Sequence, residues 1–380
     1  MGLNGMLRSK TGNLSFLVEL DHHSNNLYGF IPFEIEKLQC LKILQIAVNK
    51  LSGKIPPTIS ILSSLELLSL SFNSLTGDIP KAIGALTKLK IIYLGVNKLS
   101  GQISRNIENL TKLQHLPLGE NNIDGSIPTE LDNLYKPEQL TLGNNNLRGS
   151  IPLEILNISA LQMLGLPNST LSGSLPSDFG CGLPNLEELL LWGNKLSGRI
   201  PNTISNASKL TILGLSTNNF IGVLPTTLGD LRYLEYLRIK NNNLTTSDAS
   251  NSKTNIITSL TNCRHLKILV LSANPLYIKL PKSIGNFSDS LQELDIVSCG
   301  INGNIPSEIG NLTNLLTLSL DQNVLNGPIP TTIGSLQDLQ FLSPKGNDLH
   351  GLIVHDLCEI KPLGYLHLSQ NKFYGAMPPV

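Results

Sequence analysis

Thirteen asparagines recur along this chain in one phase: Asn25, Asn49, Asn73, Asn97, Asn121, Asn145, Asn194, Asn218, Asn242, Asn274, Asn323, Asn347 and Asn371. Most neighbours in the series are 24 residues apart, and each closes the frame LxxLxLxxNxLxGxIP. Leu65, Leu68, Leu70, Asn73, Leu75, Gly77, Ile79 and Pro80 show that frame without a substitution. Self-similarity at a fixed period of roughly 20–50 residues means a stack of identical supersecondary units, each burying its apolar face only against its neighbours. A chain of 380 residues would otherwise suggest two or three domains. The repeat overrides that expectation and reads residues 1–380 as one repeat domain.

Each element of the frame has a physical task. LxxLxLxx alternates apolar and polar residues, which makes a short strand with its leucines facing inward. Strands of successive repeats then pair in parallel on a concave side. The asparagine sits where the chain turns into the core, and its amide both donates and accepts, so stacked asparagines are expected to form a hydrogen-bonded ladder. The glycine of LxGxIP points to a backbone angle that other residues resist, and the proline suits a turn. The stretch after it, as in Thr331 to Leu339, has the spacing of a short helix or 3₁₀ turn on the outer side. The fold class is an α/β leucine-rich repeat solenoid, a right-handed superhelix or horseshoe with a concave parallel sheet.

A partial repeat occupies 1–12, about fifteen repeats follow from residue 17, and the last is incomplete. Ser169 and Cys299 replace the asparagine in two repeats. The step from Asn242 to Asn274 is 32 residues, and a polar insertion at 245–259 fills it. A tolerated bulge and a binding loop both fit that insertion. His22, Pro137 and Pro344 stand at strand leucine positions, and Ser104 and Val354 replace the proline. The proline-bearing repeats should pair more weakly, because proline removes a backbone donor.

Composition excludes several classes. Lys+Arg equals Asp+Glu at 28 each, which leaves no general electrostatic reason to bind nucleic acid. No apolar run of about 18 residues is long enough to cross a membrane, and Met1 to Gly12 lacks the apolar core of a signal peptide. Cys40, Cys181, Cys263, Cys299 and Cys358 form no CxxC pair and are scattered over different repeats. They read as mostly buried thiols, with no metal site and no cofactor expected. No HExxH, GxSxG or GxxxxGK[ST] motif occurs, so no enzyme is expected.

The LxGxIP frame, as in Leu51-Ser-Gly-Lys-Ile-Pro56, resembles the plant-specific class of leucine-rich repeats. Gly310-Asn-Leu-Thr313, Leu260-Thr-Asn-Cys-Arg264 and Phe287-Ser-Asp-Ser-Leu291 narrow the resemblance to ectodomains of plant receptor-like serine/threonine kinases, in the subgroup of microbial-pattern receptors. That resemblance implies a place on the extracellular side of the plasma membrane, in immune or developmental signalling. It also implies a peptide or protein ligand on the concave face and a co-receptor of the same repeat type. A signal peptide, cysteine-paired cap, membrane helix and kinase complete such receptors, and this chain carries only the repeats. A secreted inhibitor of pectin-degrading enzymes, built from the same repeats, is the alternative; a truncated product that does not signal is a third.

On the concave sheet, the exposed positions of the strand frame hold Ile43, Ala47, Val48, Leu67, Phe72, Ile91, Tyr93 and Val96, an apolar stripe over adjacent repeats. Leu190 and Trp192 follow, then Tyr236, Arg238 and Lys240. Aromatic residues and arginine are those most often found at interface hot spots, so Phe72, Tyr93, Leu190, Trp192, Tyr236, Arg238 and Lys240 are the candidate ligand contacts. Eight N-x-S/T sequons occur, at Asn13, Asn109, Asn157, Asn168, Asn206, Asn243, Asn286 and Asn311. All but Asn168 and Asn243 share one repeat position, expected at the start of the outer turn. Capping of that turn and glycosylation of the outer side both fit.

Overall fold

A computed structural model describes residues 2–134, 136–246 and 255–376. The chain divides into two compact units, residues 1–173 with 182–186, and residues 174–181 with 187–380. Each unit is a stack of leucine-rich rungs. In the first, seven short strands from Glu19–Asp21 to Met163–Gly165 follow one another in chain order. In the second, eight run from Glu188–Leu190 to Tyr365–Leu366. Pairing is parallel and steps one repeat at a time, as in Ile43↔Leu67 and Leu67↔Ile91. The frame leucines Leu65, Leu68, Leu70 and Leu75 are fully buried, as are Ile59 and Leu62 from the adjoining turn. Burying each such side chain contributes roughly 1.5–3 kcal/mol. The opposite side carries five-residue 3₁₀ helices, such as Pro57–Ile61 and Thr331–Ser335, entered at the proline that ends the frame.

The asparagines do form a ladder, but they do not bond to one another. The Asn73 Oδ1 accepts from the Leu51 N–H at 2.9 Å in the preceding repeat. Its Nδ2 donates to the carbonyls of Leu70 and Ser71 in its own repeat, and of Ile46 in the preceding one, at 3.0–3.2 Å. Asn97, Asn121 and Asn323 repeat the set. The amide thus stitches two rungs through their backbones, satisfying groups the turn would otherwise leave buried and unpaired.

The turn has a second requirement that glycine meets in only a few rungs. The residue just before the rung position has a positive φ throughout, as at Ser24, Val48, Phe72, Val96 and Glu120 (54–58°), and at Gly193 and Gly346. The frame glycine behaves as expected: Gly53 has φ 75°, and a Cβ there would lie 2.2 Å from the Phe30 ring carried by the preceding repeat. It is therefore required twice, for its angle and for its missing side chain.

The LxGx segment also pairs with its neighbours, a second set of short parallel strands that sequence patterning did not reveal. Asn26–Gly29 beside Lys50–Gly53 is one example, through Tyr28↔Lys50 and Gly29↔Leu51. Its residues have no uniform polar alternation, so they carry no strand signature. Among the described residues this pairing thins to single bridges at Gln102↔Asp124 and Lys279↔Asn302.

The irregular rungs show what the ladder supplies. At Cys299 no amide oxygen exists, and the carbonyl of Cys299 itself accepts from the N–H groups of Leu276 and Tyr277 at 3.1 and 3.0 Å. Tyr277 takes φ 51° as a result of that local turn. Pro344 replaces a strand leucine and remains buried, and pairing there falls to Phe341↔Tyr365 and Leu342↔Leu366, one residue fewer than in the preceding step. Of the expected 245–259 insertion, residues 247–254 lie outside the described residues. Thr245 closes the strand Asn243–Thr245, and Ile256–Leu260 is an α-helix capped by the Asn255 side chain, which accepts from the Ile257 N–H. Ile256, Ile257 and Leu260 are buried in the core, so that end is structural rather than looped out.

The remaining defect, Ser169, has a buried hydroxyl with no partner. Ser169→Asn should restore a rung and raise unfolding stability by about 1 kcal/mol, read from urea denaturation. An equal or lower midpoint would show that rung pairing is not limiting there.

Candidate functional site

The leucine strands expose every second residue on one open face, in columns six, four and two residues before the rung position. In the first unit the outermost column runs Ile43, Leu67, Ile91 on adjacent strands, all half-buried. Tyr93 lies beside Ser69 in the next column, and its ring meets His115 at 6.5 Å, tilted by 50°. The expected stripe is narrower than its sequence: Ala47 is only 4% exposed and belongs to the core. Phe72 is off this face. It follows the strand Leu67–Ser69, at the positive-φ turn with Val48 and Val96.

In the second unit Leu190 pairs with Gly214, which pairs with Arg238. A Cβ at Gly214 would sit 3.4 Å from both Leu190 Cδ2 and Trp192 Cδ1, in van der Waals contact, so the two large side chains flank a shallow notch above the glycine. Trp192 remains 38% exposed. Two strands on, the Arg238 guanidinium stands 5.6 Å from the Tyr236 ring centre and the Lys267 ammonium 5.9 Å, a double cation–π arrangement. Lys267 also bonds Glu235 at 2.6 Å, and that hydrogen bond raises the lysine pKa. Lys240 is exposed at the strand's end. Burial pushes the Glu188 carboxyl up, with a smaller contribution from Glu187. Leu190, Trp192, Tyr236, Arg238 and Lys240 therefore share one surface that joins an apolar notch to a cationic row.

Sequence reading missed three parts of that surface. Lys267 lies beyond the long step and was not placed beside Tyr236. Asp295 accepts from the Ser272 hydroxyl, putting a carboxylate on the same sheet. Phe341, Tyr365 and His367 form an aromatic group, with Phe341 6.1 Å from Tyr365 and 5.3 Å edge-on to His367. Its signal was present, since Phe341 and Tyr365 occupy the same frame position one period apart.

Family comparisons agree with this geometry. The family described as Leucine-rich repeat region matches residues 243–376, and Leucine Rich Repeat matches 64–86 and 185–207. A leucine-rich repeat protein of Leptospira interrogans is 30% identical with a TM-score of 0.77, covering 98% of this chain and 89% of that one. The chain belongs to the leucine-rich repeat family. Within it, the chain is similar to plant receptor-kinase ectodomains. The plant peptide hormone receptor RGFR1, solved with RGF2, is 35% identical with a TM-score of 0.88, covering 98% of this chain and 62% of that one. The Arabidopsis receptor kinase HAESA, solved with the peptide hormone IDA and the co-receptor SERK1, is 31% identical with a TM-score of 0.87 (99% and 66%). The Arabidopsis thaliana LRR receptor-like serine/threonine-protein kinase EFR is 41% identical over 91 residues, 24% of this chain and 9% of that protein. The chain thus spans less than two thirds of several such ectodomains and a small part of a whole receptor kinase.

All eight sequon asparagines are exposed. The six in common phase end the 3₁₀ helices, as in Arg105–Asn109 and Ser307–Asn311, where the N-cap is instead Arg8, Ser104 or a proline. Capping therefore does not account for them. Asn168 differs: it has φ 46° and its Nδ2 donates to the Asn144 Oδ1 at 2.8 Å. Asn243 opens a strand of the LxGx set. Among the described residues no three metal-binding side chains gather, and no helix is long and apolar enough to cross a membrane.

The cysteines are not mostly buried. Cys40, Cys181 and Cys358 are exposed, while Cys263 and Cys299 are buried and free. Burial pushes both buried thiols up to about 12. As pH rises through the ordinary thiol range, the unfolded chain loses protons that these two folded thiols retain, so their contribution to stability falls. Maleimide at pH 8 should label three cysteines in the native chain and five in denaturant, counted by mass spectrometry. Native labelling of Cys263 or Cys299 would contradict their burial.

Proposed function

We propose that this chain is the ligand-recognition part of a plant receptor-like kinase of immune or developmental signalling, acting on the extracellular side of the plasma membrane. The ligand is an extended peptide or protein segment lying across the open strand face. The observation that carries this reading is the surface of the second unit, where the Trp192–Leu190 notch over Gly214 adjoins Tyr236, Arg238, Lys240 and Lys267. An apolar ligand side chain fills the notch and an acidic group meets the cationic row. Short strands fixed at both ends hold these side chains in register, which limits the ordering cost of binding. The similarity to receptors solved with peptide hormones supports this class of ligand, and the HAESA complex supports a co-receptor.

The test is titration calorimetry of the purified chain against a panel of synthetic plant peptide hormones. At least one should bind with Kd below ~10 μM, and Trp192→Ala should weaken it at least tenfold without changing the melting temperature. A panel that fails to bind, or a variant that binds equally, would contradict the reading.

We also propose glycans at Asn13, Asn109, Asn157, Asn206, Asn286 and Asn311, on the 3₁₀ side and away from the open face. Asn168 should be the least occupied sequon, since its amide is engaged by Asn144. Glycopeptide mapping of chain secreted from plant cells gives each occupancy. Full occupancy at Asn168 with bare 3₁₀ sites would reverse the assignment.

A further inference from the structure

The turn before each rung asparagine has a left-handed backbone, and three consecutive rungs fill it with bulky apolar residues. Val48, Phe72 and Val96 have φ of 56°, 54° and 55°. They lie on neighbouring rungs, since the Asn49 N–H donates to the Phe72 carbonyl at 3.1 Å and the Asn73 N–H to that of Val96 at 3.2 Å. No other rung has a bulky apolar residue there; the position is otherwise polar, small or glycine. A β-branched residue at positive φ is a genuine outlier, because its Cβ substituents crowd the backbone. Asparagine, used at Asn144 and Asn241, suits the same angle far better. The side chains gain little from the core in return: Phe72 is 55% exposed and Val48 41%, with Val96 half-buried. Backbone conformation and solvation are both unfavourable, at the same three places.

The two valines sit in identical Val-Asn-Lys triplets, Val48-Asn49-Lys50 and Val96-Asn97-Lys98, on either side of Phe72. Lys50 and Lys98 are exposed and make no ion pair with any described residue; Glu120 holds the same turn on the next rung and lines a recess with Lys98, so the strip is cationic along its Lys50 side and mixed at the Lys98 end. Strain held against a better residue marks a functional constraint. An exposed apolar strip bordered by unpaired charge marks a docking surface.

We propose that Val48, Phe72 and Val96, bordered by Lys50 and Lys98, dock a protein segment that carries aliphatic side chains between carboxylates. The aliphatic groups cover the apolar strip, and the carboxylates meet the two lysines. The site lies at the strand exit rather than on the open sheet face, and it does not depend on the peptide-recognition reading.

The probe is a labelled synthetic peptide of alternating leucine and glutamate, with a leucine–lysine peptide as control, titrated by fluorescence anisotropy against the full chain. The glutamate peptide should bind and the lysine peptide should not. The triple variant Val48→Asn, Phe72→Asn, Val96→Asn should weaken binding at least tenfold while raising the melting temperature, because asparagine relieves the turn. Lys50→Glu with Lys98→Glu should also weaken binding at least tenfold. Absent binding of the glutamate peptide, unchanged binding by either variant, or a melting temperature lowered by the triple variant would overturn the proposal. So would a dimer of the native chain, detected by light scattering and lost in the triple variant, because the strip would then pair two copies.

Discussion

One side-chain amide holds successive repeats together. At Asn73 a single carboxamide accepts from the preceding repeat and donates to carbonyls of both repeats. Leucine burial drives stacking, but it is non-directional and cannot by itself fix register. The amide can, because each of its bonds has a distance and an angle to satisfy. A strand of three residues has too few ladder bonds to hold its own place. The rung amide compensates by pinning the backbone where each strand ends.

The turn that delivers the asparagine forces a positive φ one residue earlier, and the chain tolerates Val48, Phe72 and Val96 there. Four residues after the asparagine the frame glycine bends back, and its absent side chain admits the preceding repeat, as Phe30 covers Gly53. Where the amide is lost the backbone must find another acceptor. Cys299 offers its own carbonyl, at the cost of a left-handed Tyr277.

The leucine, asparagine, glycine and proline positions made the fold readable from sequence, because each acts through a fixed local geometry. The ladder's true partners were not readable, since main-chain atoms carry no sequence signature. The same holds for the LxGx strands and for the turn at Val48, which no glycine marks. Of the candidate contacts, Leu190, Trp192, Tyr236, Arg238 and Lys240 do share one surface, because a fixed frame maps sequence columns onto sheet columns. Lys267 escaped because the 32-residue step broke the count. Phe72 falls outside the strand columns, at a left-handed turn that the sequence does not announce.

The proposed recognition surface rests on the same frame. The strand face holds Tyr236 between Arg238 and Lys267 without help from flexible loops, so a ligand there would meet side chains already in place. The most direct test of the central claim is hydrogen exchange of individual backbone amides, followed by NMR, in the native chain and in Asn97→Ala. The Leu75 N–H, which donates to the Asn97 Oδ1 at 3.0 Å, should lose its protection in the variant. The Leu51 N–H, held by Asn73 at 2.9 Å, should keep it. Equal protection of Leu75 in both proteins would show that the asparagine amide does not hold the rungs.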